Sequence, residues 1–216
     1  EDLHFFQNTI GIDFVLTQEH ERMENYSHDH TEDLRFLPTF VLLPASANEI
    51  AIILAYCNQQ NICVTPRGAG TGLSGGALAV YGGIVLSTER LNKIIQIDTT
   101  NFQATVEPAV INEVLQNAVQ EQGLFYPPDP ASKGSCFLGG NVAHASGGPR
   151  ALKYGTTRDY ILNLEVVLAS GDIIWTGANT LKYSTGYNLT HLLIGSEGTL
   201  GIVTKIVVKL ISFPSK

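Results

Sequence analysis

The hydrophobic pattern first becomes regular at Thr39. Thr39-Phe40-Val41-Leu42-Leu43 is a nearly unbroken apolar run closed by Pro44, which predicts a buried strand. Ser46-Ala47-Asn48-Glu49 then spells a capping box: the Ser oxygen takes an N–H and the Glu three residues later reaches back. Ile50, Ile53, Leu54 and Cys57 follow at helical spacing, which predicts a helix over 47–60 with Cys57 on its buried stripe. Ile62-Cys63-Val64-Thr65 is a second short strand. Strand, helix and strand at this spacing predict a β-α-β unit with a parallel pair. Gly83–Ser87 and Ile94–Ile97 read as two further strands, and the turn cluster Asp98-Thr99-Thr100-Asn101 places a subdomain boundary after residue 98.

Beyond that boundary the period changes. Gln103–Glu107 is a strand closed by Pro108, and Ile111, Val114, Leu115, Ala118 and Val119 mark an amphipathic helix that Gly123 ends. Asn163–Ala169, Ser170-Gly171 and Asp172–Thr176 form strand, turn and returning strand, a β-hairpin. Near the end, Ile202, Thr204, Ile206, Val208 and Leu210 alternate with Val203, Lys205, Val207 and Lys209, a half-buried antiparallel strand. The fold class is therefore α+β: a small parallel α/β lobe over 36–98 and a larger lobe over 99–212, with an antiparallel sheet and flanking helices. Residues 1–35 are polar and weakly patterned, an N-terminal extension in which Phe5, Phe6, Ile10, Phe14, Val15 and Leu16 suggest a short helix face and an extended piece.

Between these elements lie three glycine-rich stretches. In the first, Pro66-Arg67-Gly68-Ala69-Gly70-Thr71-Gly72-Leu73-Ser74-Gly75-Gly76, five of eleven residues are glycine. Glycine lets backbone N–H groups approach a ligand closely, and successive inward N–H groups make an anion nest suited to phosphate. A side chain at Gly70 would intrude where phosphate oxygens approach. Arg67 is the one cation in the stretch, so peptide dipoles must do most of the binding. The loop also fits G-x-G-x-x-G at Gly70–Gly75 and G-x-S-x-G at Gly72–Gly76. Each of those motifs needs a long helix directly after it. Only Ala77–Tyr81 precede Gly82-Gly83 and the next strand, too little for a crossover of about 10–12 residues. Glu89, near the ribose-binding distance of the dinucleotide pattern, is then a coincidence.

The second stretch, Pro127–Gly148, contains Pro127-Pro128-Asp129-Pro130, Gly134-Ser135-Cys136, Gly139-Gly140-Asn141 and Ser146-Gly147-Gly148. It reads as a long loop without repetitive structure, a kind that is usually functional. His144 reads there as a structural histidine, and Cys136 as a small packing residue. The third stretch is Gly195-Ser196-Glu197-Gly198-Thr199-Leu200-Gly201. Three such clusters suggest one extended ligand held at several points.

Composition narrows the classes. With 44% hydrophobic and 15% charged residues, the 216-residue chain can bury a core. A net charge of −7 argues against a nucleic-acid partner. Three cysteines, Cys57, Cys63 and Cys136, give no C-x-x-C pair, which fits a reducing, cytoplasmic location. No apolar run reaches the roughly 18 residues of a membrane span. His28-Asp29-His30 looks like a metal pair but lacks a third ligand, so no metal site is expected. The chain opens Glu1-Asp2-Leu3-His4, without Met, and a processed or trimmed product is expected.

Taken together these residues resemble a family. Val64–Gly76 resembles the pyrophosphate loop of the FAD-linked oxidases, the vanillyl-alcohol oxidase and p-cresol methylhydroxylase superfamily. Gly134–Ala143, Ser146-Gly147-Gly148 and Lys153-Tyr154-Gly155 resemble the segment along the flavin, and Gly195–Val203 the segment on the adenosine half. The resemblance runs from about Tyr26 to Leu210 and points most closely to glycolate oxidase flavin subunits and to D-lactate or D-2-hydroxyglutarate dehydrogenases.

It implies a two-lobed FAD-binding domain, with Pro66, Arg67, Gly68, Ala69, Gly70, Thr71, Gly72, Leu73 and Ser74 on the pyrophosphate. It assigns Pro128, Ser135, Gly139, Gly140, Asn141, Ala143, Ser146, Gly148 and Tyr154 to the ribityl chain and ring, and Gly198, Gly201, Ile202 and Val203 to the adenosine side. FAD is expected to be non-covalent, because Thr71 stands near where histidine-tethered relatives carry the histidine. The implied reaction is dehydrogenation of a D-2-hydroxy acid such as glycolate or D-lactate, with an electron acceptor. A cap domain or partner subunit holding the substrate and the catalytic base is expected beyond Ile211–Lys216. A FAD-binding or assembly module without turnover, and a nicotinamide-binding Rossmann domain, are the alternatives.

Overall fold

A computed structural model describes residues 1–214; of the closing stretch Ile211–Lys216, Ser215 and Lys216 lie outside the described residues. The apolar run at Phe40 and the strand that feeds the first glycine loop belong to one four-stranded sheet, built from β1 (Val15–Leu16), β2 (Phe40–Leu42), β3 (Val64–Arg67) and β4 (Ile84–Ser87). Its order is β1-β2-β4-β3, with β2 and β3 both parallel to β4. The β-α-β unit is present, but its two strands do not pair, because β4 lies between them. Every residue of β4 is buried, as expected for a parallel strand covered on both faces. Ile84 and Leu86 enter one core cluster with Phe6, Ile50, Ile53 and Cys57. Val85 enters another with Leu16, Met23, Tyr26 and Val41.

The helix in that unit spans Ala47–Gln60, with Asn61 in the left-handed region at its end. Ser46 Oγ accepts the Glu49 N–H at 3.2 Å, while Glu49 Oε2 accepts the Ala45 N–H at 2.7 Å. The reach-back thus lands one residue earlier than the capping-box pattern predicts. Burial pushes the Cys57 thiol up to about 12, so it stays a protonated core residue. Residues 1–35 are not an appendage. The helix Asp2–Ile10 places Phe6 and Ile10 in the core, Phe5 stacks on Tyr56 with ring centroids 3.7 Å apart, and β1 joins the sheet. These two helices are α1 (Asp2–Ile10) and α2 (Ala47–Gln60).

The second sheet is antiparallel throughout. It contains β5 (Ile94–Asp98), β6 (Gln103–Val106), β8 (Ile161–Val167), β9 (Ile173–Trp175) and β10 (Ile202–Lys209), in the order β5-β6-β10-β8-β9. The sequence placed the lobe boundary after Asp98, but β5 pairs with β6, so the sheets divide between Ser87 and Ile94. The reason is local: Asp98 Oδ1 accepts the N–H groups of Thr100 and Asn101, which makes the cluster a hairpin turn.

Helices α3 (Asn112–Gln120) and α4 (Leu138–His144) cover this sheet through Leu115, Val119, Leu138 and Val142. Short helices α5 (Ala151–Tyr154) and α6 (Leu189–Leu193), and a small pair of β7 (Leu124–Phe125) with β11 (Ile211–Ser212), complete the lobe. Helix α4 corrects the expectation of an irregular Pro127–Gly148 loop. Gly139-Gly140 lowers its propensity, and packing of Leu138 and Val142 overrides it. Val167 and Ile202 extend from the second sheet into the first lobe's core, which fixes the lobes against each other.

Ser46→Ala removes the acceptor that starts α2. The expected loss is about 1 kcal/mol, seen as a melting temperature lower by about 2–4 °C; an unchanged melting curve would show that the cap does not stabilise the helix.

Candidate active site

The first glycine loop leaves the carboxyl end of β3, where ligands of parallel sheets bind. It forms one wall of a cleft of about 310 Å³ between the lobes, and Thr71, Asn141 and Ile202 all line it. The three glycine-rich stretches therefore meet. No N–H from Gly68 through Ser74 donates to an acceptor among the described residues, whereas the Gly75 N–H donates to Thr31 Oγ1 at 2.8 Å. Backbone donors without internal partners are left to solvent or a ligand, and this row suits a group rich in anionic oxygen.

The Arg67 side chain plays a different part from the one its charge suggests. It is only 7% exposed. Its guanidinium donates to Asn25 O, His28 O and Ala77 O at 3.1, 2.8 and 3.3 Å, and lies over the Tyr26 ring. Burial lowers its pKa, opposed chiefly by Asp29, and it stays charged. The one cation of the loop thus ties the N-terminal segment to the loop's base. A Cβ on Gly70 would lie 2.3 Å from Arg67 Nη2, and Gly70 has φ +71°. The left-handed backbone and the Arg67 guanidinium are by themselves enough to require glycine there.

The second wall is α4. Asn141, buried, donates to Asn112 Oδ1 at 3.2 Å, and Asn112 and Gln116 donate to Pro128 O at 3.1 and 2.8 Å. A Cβ on Gly139 would lie 2.7 Å from Pro108, whereas one on Gly140 would meet nothing within 4 Å. Gly140 is thus open to the cleft. The third wall rests on the first: Gly198 has φ +77°, and a Cβ there would lie 2.5 Å from Pro66. Glu197, at φ +52°, donates its N–H to Ala143 O at 3.0 Å.

Of the residues the sequence singles out, 66–73, Gly139, Gly140, Asn141, Ala143, Ser146, Gly198 and 201–203 line the cleft. Ser74, Pro128, Ser135, Gly148 and Tyr154 are not among its lining residues. Pro128 serves as the acceptor for Asn112 and Gln116, and the exposed Ser135 bonds Ser132 O at 3.3 Å. Gly148 is needed because a Cβ would lie 2.0 Å from Asp129 O. Tyr154 packs on Phe125 and accepts from Tyr160 at its carbonyl.

The cleft also holds Asp29, Thr88, Phe137, His144 and Glu197, which the sequence did not assign to a ligand. Thr88 follows β4, so the rule that ligands sit at carboxyl ends of parallel strands would have found it. His144 is exposed and has no hydrogen-bond partner among the described residues, so it is not the satisfied structural histidine expected. Glu89 is occupied by Arg22 and Tyr26 at 2.7 and 2.6 Å. Asp29 Oδ1 accepts from Thr31, and among the described residues no three His, Cys, Asp or Glu side chains group to hold a metal. Among them, too, no helix is long and apolar enough to cross a membrane.

Residues 38–177 match the family model described as FAD binding domain. The chain belongs to the FAD binding domain family. This FAD-binding chain is 49% identical over 189 residues to glycolate oxidase subunit GlcD of Bacillus subtilis (strain 168), a match covering 88% of the chain and 40% of that protein. It is 43% identical over 192 residues to D-lactate dehydrogenase of Anaerostipes hadrus, covering 88% and 40% respectively. Substrate-bound p-cresol methylhydroxylase shares its fold at TM-score 0.86 and 25% identity, over 99% of this chain and 43% of that one. The FAD-binding chain thus spans about 40% of the length of these curated relatives.

The cleft fits the cofactor on its own terms. The six unpartnered N–H groups of residues 68–73, all of which line the cleft, suit a diphosphate, and the open side of Gly140 leaves room beside backbone. Gly70→Val is expected to lower the melting temperature of the flavin-free protein, because a strained left-handed residue costs about 1–3 kcal/mol and its side chain displaces Arg67. Lost FAD binding with an unchanged flavin-free melting curve would instead mean that Gly70 is set by the phosphates.

Proposed function

We propose that this chain is the flavin half of an FAD-dependent oxidoreductase that dehydrogenates a D-2-hydroxy acid of the glycolate or D-lactate kind. The observation that carries the reading is the convergence of three glycine-rich stretches on one cleft whose first loop presents unpartnered N–H groups. The names of the relatives, glycolate oxidase subunit and D-lactate dehydrogenase, support the substrate class.

In this reading the N–H groups of residues 68–74 bind the pyrophosphate, and Arg67 holds the loop in shape from beneath. Gly140, Asn141, Ala143 and Ser146 border the ribityl chain and ring, while Gly198, Gly201, Ile202 and Val203 border the adenosine side. Pro128, Ser135, Gly148 and Tyr154 position that wall from behind. When bound, FAD supplies the acceptor for a hydride leaving the substrate α-carbon at flavin N5. Thr71 offers no tether, so the cofactor is held without a covalent bond. The hydroxyl proton needs a base within about 2.6–3.2 Å. We assign that base, the groups that hold the substrate carboxylate, and the contact with the electron acceptor to a cap domain or partner subunit. Three free cysteines support a cytoplasmic location.

Purified protein is expected to show a flavin absorbance spectrum, with the flavin released on denaturation, and little turnover of D-lactate or glycolate with an artificial acceptor. Absence of flavin binding even after adding FAD would overturn the function. Brisk turnover by this chain alone would overturn the assignment of the base to a cap or partner.

A further inference from the structure

We propose that the Asp29 carboxylate accepts a hydrogen bond from a sugar hydroxyl flanking the diphosphate, and so selects a cofactor whose sugar carries that hydroxyl. The inference rests on the FAD reading above and adds a specificity-determining residue to the same cleft. Asp29 lines the cleft and is only 7% exposed. Its Oδ1 accepts the Thr31 N–H at 2.8 Å, while its Oδ2 has no hydrogen-bond partner among the described residues. An ionised carboxylate has about four acceptor sites, and this one, buried, is met by a single donor. A carboxylate withdrawn from water and left short of donors is costly. A ligand donor in the cleft relieves that cost.

Asp29 is fixed at the base of the first glycine loop from both sides. The residue before it, His28, gives its carbonyl to Arg67 Nη2 at 2.8 Å, and Thr31 Oγ1 accepts the Gly75 N–H at 2.8 Å. The carboxylate therefore stands beside the loop whose N–H groups have no partner. Arg67 does not complete it, because its guanidinium donates to three carbonyl oxygens. Tyr126 Oη and Asp129 Oδ1 are also buried without a hydrogen-bond partner among the described residues, but neither residue lines the cleft. Asp129 moreover has Lys133 Nζ at 3.1 Å. Asp29 is thus the one of the three placed to meet a ligand.

The chemistry of the partner follows from charge. A carboxylate repels the oxygens of a diphosphate, so it favours the complex only where a neutral donor faces it. On FAD the donors next to the diphosphate are hydroxyls, those of the ribose on the adenosine side and those of the ribityl chain on the flavin side. The adenine amino group and the flavin N3–H lie at the two far ends of the molecule. A hydrogen bond to an ionised oxygen is about twice as strong as one between neutral groups. Removing the hydroxyl also leaves the buried acceptor unpaired, which adds to the loss.

The test is a set of dissociation constants, measured by calorimetry on this chain for the wild type, Asp29→Asn and Asp29→Ala. The ligands are FAD, an FAD analogue whose ribose lacks both hydroxyls, and one whose ribityl chain lacks its hydroxyls. The wild type is expected to bind one of the two analogues about tenfold more weakly than FAD, the scale of one hydrogen bond to a charged group, and that analogue names the sugar. The gap narrows in Asp29→Asn, which keeps an oxygen for Thr31 but not the charge, and closes in Asp29→Ala. If Asp29→Ala does not fold, the gap in Asp29→Asn decides alone. An Asp29 that only shapes the loop would weaken all three ligands alike and leave the gap unchanged. That result, or wild-type affinity for both analogues equal to that for FAD, would overturn the proposal while leaving the FAD reading intact. No binding of FAD to the wild type would overturn both.

Discussion

A buried guanidinium is the constraint on which the rest depends. Arg67 has been taken out of water and given backbone carbonyls as partners, two of them from the segment around Tyr26. Burying a cation is tolerable only when its donors are matched. The match fastens the N-terminal segment to the base of the glycine loop, and Gly70 then has no room for a side chain. The loop is left with its N–H groups free of internal partners. The charge that composition alone would assign to a ligand is thus used to shape the loop from within.

The two lobes contribute unequally. The parallel lobe supplies the first glycine loop, at the position where parallel topology predicts a ligand. The antiparallel lobe supplies α4 and the turn around Gly198, and it reaches into the first core through Val167 and Ile202. Where Gly198 meets Pro66 across the lobes, and where Gly139 meets Pro108 within the second lobe, a Cβ would push backbone apart. The cleft is therefore a consequence of close backbone packing as much as of ligand demand.

Much of this was legible in the sequence, and the parts that were not share a cause. Helix α2 followed from Ser46, Glu49 and the apolar stripe, because local capping and period act within one element. The hairpin at Ser170-Gly171 and the alternation in β10 were likewise local. The insertion of β4 between β2 and β3, and the transfer of β5 to the second sheet, were not, because strand order is decided by long-range pairing. Helix α4 was hidden by Gly139-Gly140, whose low propensity is outweighed by tertiary packing. At the site, the glycine stretches were found by composition, but the partners of Arg67 and the position of His144 depend on segments distant in sequence. Pro128 and Tyr154 were drawn toward the ligand by neighbourhood in the chain, although their contacts are to Asn112, Gln116 and Phe125.

The central claim is that peptide N–H groups of residues 68–74 receive the diphosphate, and amide hydrogen exchange reports on those atoms directly. The account predicts that saturating FAD slows exchange across this loop, while riboflavin, which has the ring but no diphosphate, leaves it fast. Fast exchange at these amides with FAD fully bound would contradict the account.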